Sequence, residues 1–266
     1  MKIGFIGCGN MGSAIIGGIV SSGIYKTENI SVVDIFKESV DKLVQKYGVK
    51  DGNDNKTIAE SSDILFLSVK PNVFPQVISE IKDNVSEKTL IVSIAAGQSI
   101  QKIEGLFGKT IKLVRVMPNT PALVGQGMAA ICGNENVSED DVSKIVEIFN
   151  CFGEAEVVPE KMMDIVTAVS GSSPAFVYMF IEAMADAAVL GGMPRKQAYK
   201  FAAQTVLGSA KMVLDTGIHP GELKDMVCSP AGTTIEAVAE LEKRGMRTAI
   251  IEAIRVCEEK SKAMGK

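Results

Sequence analysis

The first twelve residues constrain the fold of this chain most strongly. A short apolar run from Ile3 to Ile6 leads directly into a loop with the spacing Gly7-x-Gly9-x-x-Gly12, and the small apolar residues after it indicate a helix. In a β-loop-α unit of this kind, Gly7 permits the tight turn, Gly9 lets a pyrophosphate approach the backbone, and Gly12 lets the helix pack close to the strand. The N–H groups at the helix start face the phosphates. The loop therefore predicts dinucleotide binding rather than a purely structural turn.

The rest of the N-terminal half continues this pattern. Apolar runs alternate with longer helical segments, which is typical of a parallel sheet covered by helices. The further predicted strands lie at residues 30–33, 64–69, 90–94 and 111–116, with two weaker candidates at 128–132 and 155–158. The apolar density of the stronger runs is that of strands buried on both faces. We expect the two weaker strands to complete the far edge of the sheet.

Helical patterns dominate from Pro159 to the C-terminus. The predicted fold class is therefore α/β, with an N-terminal Rossmann dinucleotide-binding domain at residues 1–158 and an all-α domain at 159–266. Between Ala175 and Leu190 the apolar residues cover nearly the whole circumference of a helix, which so small a domain could hardly bury by itself. We therefore expect an intimate homo-oligomer. Two carboxylates in this stretch, Glu182 and Asp186, argue against a membrane span.

Composition narrows the class of partner. The formal net charge is −4 and charged residues make up 23% of the chain, which provides no basic footprint for nucleic acid or an anionic membrane. A small-molecule partner is expected instead. The five cysteines form no C-x-x-C pair and predict neither a metal site nor a redox motif, so reduced thiols in a cytoplasm fit best. Gly7 and Gly9 interrupt the one candidate run for a secretory leader.

Polar residues follow the predicted strands at the edge where Rossmann sheets bind ligands. Asp34 lies 22 residues beyond Gly12, where an acid hydrogen-bonds the adenosine ribose of NAD, whereas the nearby Lys37 would attract the 2′-phosphate of NADP. Lys70 could hold a phosphate or be a solvated lysine. Asn119, in a rigid loop between two prolines, could position the nicotinamide ring or satisfy its own backbone. The alternative for Asp34 is an exposed turn acid, and because Asp34 and Lys37 disagree the residues alone leave NAD and NADP open.

A second glycine-rich loop precedes a late helix. Ser229-Pro230-Ala231-Gly232 leads directly into a helical pattern that begins with Thr233 and Thr234. N–H groups at a helix start bind anions with the help of the helix dipole, and the threonine hydroxyls can donate hydrogen bonds. The loop therefore suits a substrate carboxylate. The alternative is an ordinary threonine N-cap, which this loop alone would favour.

Taken together, these features resemble the pyrroline-5-carboxylate reductase family over essentially the whole chain. The motifs that carry the resemblance are Gly4–Met11, Val69–Pro71, Met117–Pro121, Ser170–Ser172 with Pro174-Ala175, and Asp225 with Ser229–Thr234. The resemblance implies a helical dimerisation and substrate domain after the Rossmann domain, and dimers that often assemble into decamers. It also implies reduction of 1-pyrroline-5-carboxylate to L-proline, the last step of proline biosynthesis, usually with NADPH.

The resemblance also implies the roles of individual residues. Thr234 and Thr167 are the catalytic candidates, and Gly232, Thr233, Thr234 and Ser172 the substrate-binding ones. With Gly12 from the glycine loop and Asp34 and Asn119 from the strand ends, the cofactor-binding set is Ile6, Gly7, Cys8, Gly9, Asn10, Met11, Gly12, Asp34, Asn55, Ser68, Val69, Lys70, Pro71, Ala95, Ala96, Gly97 and Asn119. Asp34 departs from NADP users of the family, which often have a small or basic residue there, and suggests NADH as an equal or better reductant.

Two other functions fit parts of the sequence. A β-hydroxyacid dehydrogenase shares the Gly-Phe-Ile-Gly opening and a helical second domain, but it needs a lysine base on the long interdomain helix. This chain has no lysine between Lys161 and Lys196. A non-catalytic nicotinamide-sensing module would have no need of the Pro-Ala-Gly-Thr-Thr loop.

Overall fold

The computed structural model describes residues 1–265, which divide into two compact units. One unit comprises Met1–Ser172 together with the residues from Cys257 onward, and the other is Ser173–Val256. The domain boundary that the sequence suggests after residue 158 stays a prediction.

An eight-stranded sheet forms the centre of the first unit. Its strands are β1 (Ile3–Ile6), β2 (Ile30–Val33), β3 (Lys50–Asp51), β4 (Ile64–Leu67), β5 (Leu90–Ser93), β6 (Lys112–Met117), β7 (Gly127–Gly133) and β8 (Gly153–Val157). The order is β3-β2-β1-β4-β5-β6-β7-β8; β6 and β7 are the one antiparallel pair, so β7 and β8 run opposite to the other six strands. Because the strand order reverses between β1 and β4, their carboxyl ends form the crevice where doubly wound sheets bind ligands. The predicted α/β class is confirmed.

Six helices cover the two faces of this sheet. They are α1 (Asn10–Ser22), α2 (Lys37–Tyr47), α3 (Asn55–Ser61), α4 (Phe74–Ile81), α5 (Ile100–Phe107) and α6 (Glu139–Asn150). Helices α1, α2 and α6 contribute to one hydrophobic cluster, and α3, α4 and α5 to the other. Within the first cluster, Phe5 of β1 stacks on Phe66 of β4 with 4.5 Å between ring centroids. This packing holds β1 and β4 firmly on either side of the crevice.

Helix α6 begins with a capping box. The Ser138 hydroxyl accepts the Asp141 N–H at 3.2 Å, and the Asp141 carboxylate accepts the Ser138 N–H at 3.4 Å. Lys112 of β6 also reaches this carboxylate, at 2.9 Å. Asp141 therefore satisfies the helix start and joins it to the sheet.

We expect Asp141→Asn to flatten the acid dependence of stability. Burial acts to raise the pKa of Asp141, but hydrogen bonds from Lys112 and Ser138 outweigh it and lower the pKa to about 2. Because the folded-state pKa lies below that of the unfolded chain, this stabilisation is present above about pH 4 and is lost as the pH falls toward 2. Denaturant titrations between these pH values measure the slope. Asp140→Asn, an exposed neighbour, is the control; equal slopes in wild type and Asp141→Asn would contradict the prediction.

After β8 the chain is helical. The short helix α7 (Met163–Val166) and a π-helical segment, Thr167–Ser172, belong to the first unit. The remaining helices are α8 (Pro174–Leu190), α9 (Arg195–Thr216), α10 (Pro220–Val227), α11 (Thr233–Lys243) and α12 (Met246–Gly265). His219, the only histidine in the sequence, caps α10 by accepting the Gly221 N–H at 3.0 Å. Its observed role is structural.

The second unit leaves most of its large apolar side chains uncovered. The buried apolar residues described in it are three alanines, Ala185, Ala198 and Ala202. Met179 is 68% exposed and Leu214 is 81% exposed. By length and composition alone, the stretch Glu160–Leu190 could also cross a membrane, and only 6% of its most apolar window is buried. An exposed apolar surface of this extent marks an interaction interface.

Candidate functional site

The loop between β1 and α1 accepts only glycine at two of its three glycine positions, Gly7 and Gly12. Gly7 has φ +106°, and a Cβ there would lie 2.6 Å from the Ser68 carbonyl oxygen. A Cβ on Gly12 would lie 2.5 Å from the Gly7 carbonyl oxygen. Both distances are shorter than any ordinary contact, so the turn and the close packing of α1 on the sheet depend on these two glycines.

Gly9 has a different environment. It is the N-cap of α1, no side chain caps the helix there, and a Cβ at this position would meet nothing within 4 Å. The first N–H groups of α1, from Asn10, Met11 and Gly12, therefore point out of the helix start without intrahelical partners. Open space beside uncapped N–H groups fits a pyrophosphate.

Asp34 is tied to this loop from the end of β2. One of its carboxylate oxygens accepts the Cys8 N–H at 2.6 Å, and the other accepts the Phe36 N–H at 2.9 Å. The Cys8 thiol faces the Val33 carbonyl oxygen at 3.6 Å. Burial, with added repulsion from Asp34, raises the pKa of this thiol to about 12. The Cys8 thiol is therefore protonated and packs inside the protein. Only the backbone of Cys8 forms part of the open side of the loop.

Ser68, at the end of β4, has the one buried polar side-chain atom that lacks a hydrogen-bond partner within residues 1–265. Ser68 also borders the glycine loop, since a Cβ on Gly12 would lie 3.2 Å from the Ser68 Cβ. An unsatisfied buried hydroxyl costs about 1–3 kcal/mol, which a bound ligand can recover. Next to it, Val69 is half-buried, Lys70 is exposed, and Pro71 starts a 3₁₀ turn. The orphaned hydroxyl and the open glycine loop fit a nicotinamide dinucleotide.

Ala95, Ala96 and Gly97 follow β5 at the same edge of the sheet. Gly97 has φ +67°, and a Cβ there would lie 2.9 Å from the Met264 Cβ. The C-terminal end of α12 therefore packs against this turn. Ser261 fixes that end by donating to Asp164 at 2.6 Å. Sequence reasoning missed these C-terminal residues, because no local pattern signals a contact made across most of the chain.

Three predicted site residues already have protein partners. Asn55 donates to Glu80 at 2.9 Å. Asn119 donates to the carbonyl and hydroxyl oxygens of Ser170 at 3.2 and 3.3 Å, and it accepts the Met128 N–H at 2.8 Å. The buried Thr167 hydroxyl donates to the Met163 carbonyl oxygen at 2.8 Å. Asn119 thus braces the loop after β6 against the π-helical segment, and the Thr167 hydroxyl has only acceptor capacity left.

The second glycine-rich loop belongs to the second unit. Its N-cap is Gly232, with no side-chain cap, and the helix α11 then begins at Thr233. An ordinary threonine N-cap is therefore not what the loop forms, and the first N–H groups of α11 stay uncapped. Ala231 holds an unusual φ of +55°, which sets the turn into the helix. Thr233 is exposed and Thr234 half-buried.

Ser172, the last predicted substrate residue, ends the π-helical segment. Its hydroxyl oxygen accepts a hydrogen bond from the Cys257 thiol at 3.2 Å. Ser172 is half-buried, and its own hydroxyl proton can still be directed to a ligand.

Two family models match the chain. Residues 160–264 match "Pyrroline-5-carboxylate reductase dimerisation", and residues 2–97 match "NADP oxidoreductase coenzyme F420-dependent". The first match identifies the exposed helical region as an oligomerisation region. A solved 3-hydroxyisobutyrate dehydrogenase from Mycobacterium tuberculosis is 14% identical with a TM-score of 0.53, covering 82% of this chain and 72% of that one, and it shares the fold alone.

Similarity to pyrroline-5-carboxylate reductases extends over the whole chain. The Escherichia coli enzyme is 54% identical over 265 residues, covering 100% of this chain and 98% of the relative, and that of Methanosarcina acetivorans is 47% identical with the same coverage. The solved Plasmodium falciparum pyrroline carboxylate reductase with NADP bound is 38% identical, with a TM-score of 0.92 and coverage of 100% and 98%. Sequence, fold and site geometry agree, and the chain belongs to the pyrroline-5-carboxylate reductase family of NAD(P)H-dependent oxidoreductases.

Proposed function

We propose that this chain reduces 1-pyrroline-5-carboxylate to L-proline with a hydride from NADPH or NADH. The observation that carries the proposal is the uncapped start of α11 at Gly232 and Thr233, in a chain whose α1 has an uncapped start of the same kind at Gly9. Two helix starts of this kind suit the two anionic molecules of the reaction, a dinucleotide and a carboxylate.

The residues of the α11 loop bind and orient the substrate in this proposal. The N–H groups of Thr233 and Thr234 hold the carboxylate, and the Ser172 hydroxyl is a further donor. Gly232 contributes as the open N-cap, because its own N–H already donates to the Ser229 carbonyl oxygen at 3.0 Å. Bound NAD(P)H supplies the hydride that attacks the imine carbon of the pyrroline ring, C2, which becomes C5 of proline. Fixing the ring by its carboxylate converts a collision into an aligned intramolecular step, and alignment of this kind is the main contribution of the protein.

The ring nitrogen needs a hydrogen-bond donor, because a protonated imine accepts hydride far better than a neutral one. Thr234 is our candidate for this role. A threonine hydroxyl has no acidic proton at neutral pH, so it relays a proton and solvent is the net source. Thr167, whose proton is directed to Met163, can contribute only as an acceptor.

The proposal includes a homodimer, with further assembly to a decamer. A second copy covering α8 and α9 would bury the apolar side chains that are exposed in the single chain. We therefore assign the apolar Glu160–Leu190 stretch to the subunit interface and not to a lipid bilayer.

The two predicted domains have separate roles in this proposal. Residues 1–158 are assigned to the cofactor and 159–266 to dimerisation and substrate, in line with the family match that starts at residue 160. The net charge of −4 fits a cytoplasmic protein without a nucleic-acid partner.

An assay with the purified protein tests the function directly. Adding pyrroline-5-carboxylate to NADH or to NADPH should oxidise the cofactor and form an equal amount of proline. A parallel reaction with a β-hydroxyacid and NAD⁺ should give no reduction, because the chain lacks the lysine base of that class between Lys161 and Lys196. Binding of cofactor without any turnover of pyrroline-5-carboxylate would instead favour the nicotinamide-sensing module.

A further inference from the structure

We propose that this chain selects NADH over NADPH, through three carboxylates that disfavour a 2′-phosphate, two at the carboxyl ends of β2 and β3 and one on α2. The three are Asp34, Asp41 and Asp51, and the cation among them is Lys37. The inference rests on the proposed placement of the cofactor, with its adenosine ribose at the end of β2.

Asp34 is held where it would face that ribose. Backbone N–H groups of Cys8 and Phe36 donate to its two oxygens, at 2.6 and 2.9 Å. Each oxygen retains a second lone pair. A ribose hydroxyl can donate to such a lone pair, whereas a 2′-phosphate offers only acceptor oxygens and a negative charge. The anchored carboxylate therefore distinguishes the two cofactors chemically.

Lys37 is the cation that could have reversed this preference. Its ammonium pairs with Asp41 one helical turn away, at 2.9 Å, and with Asp51 of β3. The side-chain hydrogen bond with Asp51 raises the pKa of Lys37 and lowers that of Asp51. Two carboxylates therefore already compensate the ammonium that would attract a 2′-phosphate.

The position of Asp51 is fixed by the sheet. Asp51 lies opposite Val32 in the parallel ladder between β3 and β2, and its carboxylate also accepts the Asn53 N–H at 3.0 Å. Asp34 follows β2 directly, at the same carboxyl edge. Three carboxylates and one ammonium give this edge a negative balance, which repels a phosphate dianion over several ångströms.

Binding without substrate tests the proposal. Titrating the protein with NADH and with NADPH, and following cofactor fluorescence, gives the two dissociation constants. We expect NADH to bind at least about tenfold more tightly at low ionic strength, with a smaller ratio at high salt because salt screens exposed charges. Equal binding, or tighter binding of NADPH, would overturn the proposal.

Three variants separate the effect of charge on cofactor choice from any structural effect of the substitutions. Asp34→Ser removes the carboxylate, and Asp51→Asn releases Lys37; each should move the ratio of dissociation constants toward NADPH by about tenfold or less. Loss of the hydrogen bond to Cys8 would weaken both cofactors alike and leave the ratio unchanged, so the ratio reports the charge. Asp140→Asn, an exposed acid on α6, changes the net charge equally and should not change the ratio.

The outcomes distinguish this inference from the function on which it rests. An unchanged ratio in both Asp34→Ser and Asp51→Asn would overturn the selectivity mechanism while leaving the cofactor site intact. Failure of both cofactors to bind the wild-type protein would overturn the placement of the site as well.

Discussion

Thr234→Val is expected to lower kcat by about a hundredfold or more, while the dissociation constants of NADH and NADPH stay unchanged. Valine has nearly the shape of threonine, so α11 should begin at the same residue and its N–H groups should still hold the carboxylate. The lost hydroxyl is the proposed donor to the ring nitrogen. The effect should therefore fall on the hydride step rather than on binding.

Two matched variants interpret that result. Thr234→Ser keeps a hydroxyl at the same position and should retain most of the activity. Thr233→Val removes the neighbouring hydroxyl but not the N–H, and should raise KM more than it lowers kcat. Steady-state kinetics of the three proteins, with circular dichroism to verify folding, measure these effects. Near-normal kcat in Thr234→Val would remove Thr234 from the mechanism.

Gly7→Ala should reduce both stability and cofactor binding. At φ +106° a Cβ would lie 2.6 Å from the Ser68 carbonyl oxygen, so the strand-to-loop turn must shift. Strain and overpacking together should reduce the free energy of unfolding by about 3 kcal/mol. The displaced loop should also lose its alignment with the phosphates.

Gly9→Ala is the matched control in the same loop. Its φ of −66° suits any residue, and a Cβ there would meet nothing within 4 Å. Stability should therefore fall by less than about 1 kcal/mol, the usual effect of alanine at an N-cap. The added methyl would occupy space assigned to the pyrophosphate, so cofactor binding should weaken by about tenfold or more. Unchanged cofactor binding in Gly9→Ala would contradict the assignment of the loop.

The sheet was predictable because its strands carry local signals. All seven predicted strands are present within two residues at each end, since most are buried apolar runs bounded by turns. The exception is β8, which is largely exposed and pairs with β7. The strand β3 was missed because Lys50 and Asp51 are exposed and form a strand only through pairing with β2. The π-helical segment was also missed, because the sequence Thr167–Ser172 has no periodicity that separates it from the helices on either side.

The candidate site was predictable only in part. Glycine spacing located the α1 loop and the α11 loop, because those backbone conformations need particular residues. The protein partners of Asn119 and Asn55 could not be anticipated, since Ser170 and Glu80 lie 51 and 25 residues away. The orphaned hydroxyl of Ser68 likewise follows from packing around it and not from any motif.

The hydrogen bond between Ser172 and Cys257 indicates that the second unit can be deleted from the chain. The chain leaves the first unit after Ser172 and re-enters it at Cys257, and these side chains are in contact at 3.2 Å. The second unit is thus an insertion whose entry and exit lie side by side, the arrangement in which insertions are tolerated. Replacing residues 173–256 with a short glycine-rich linker between Ser172 and Cys257 should therefore remove the second unit and leave the first intact. The product would be a free-standing nucleotide-binding module that retains the C-terminal residues packed on Gly97.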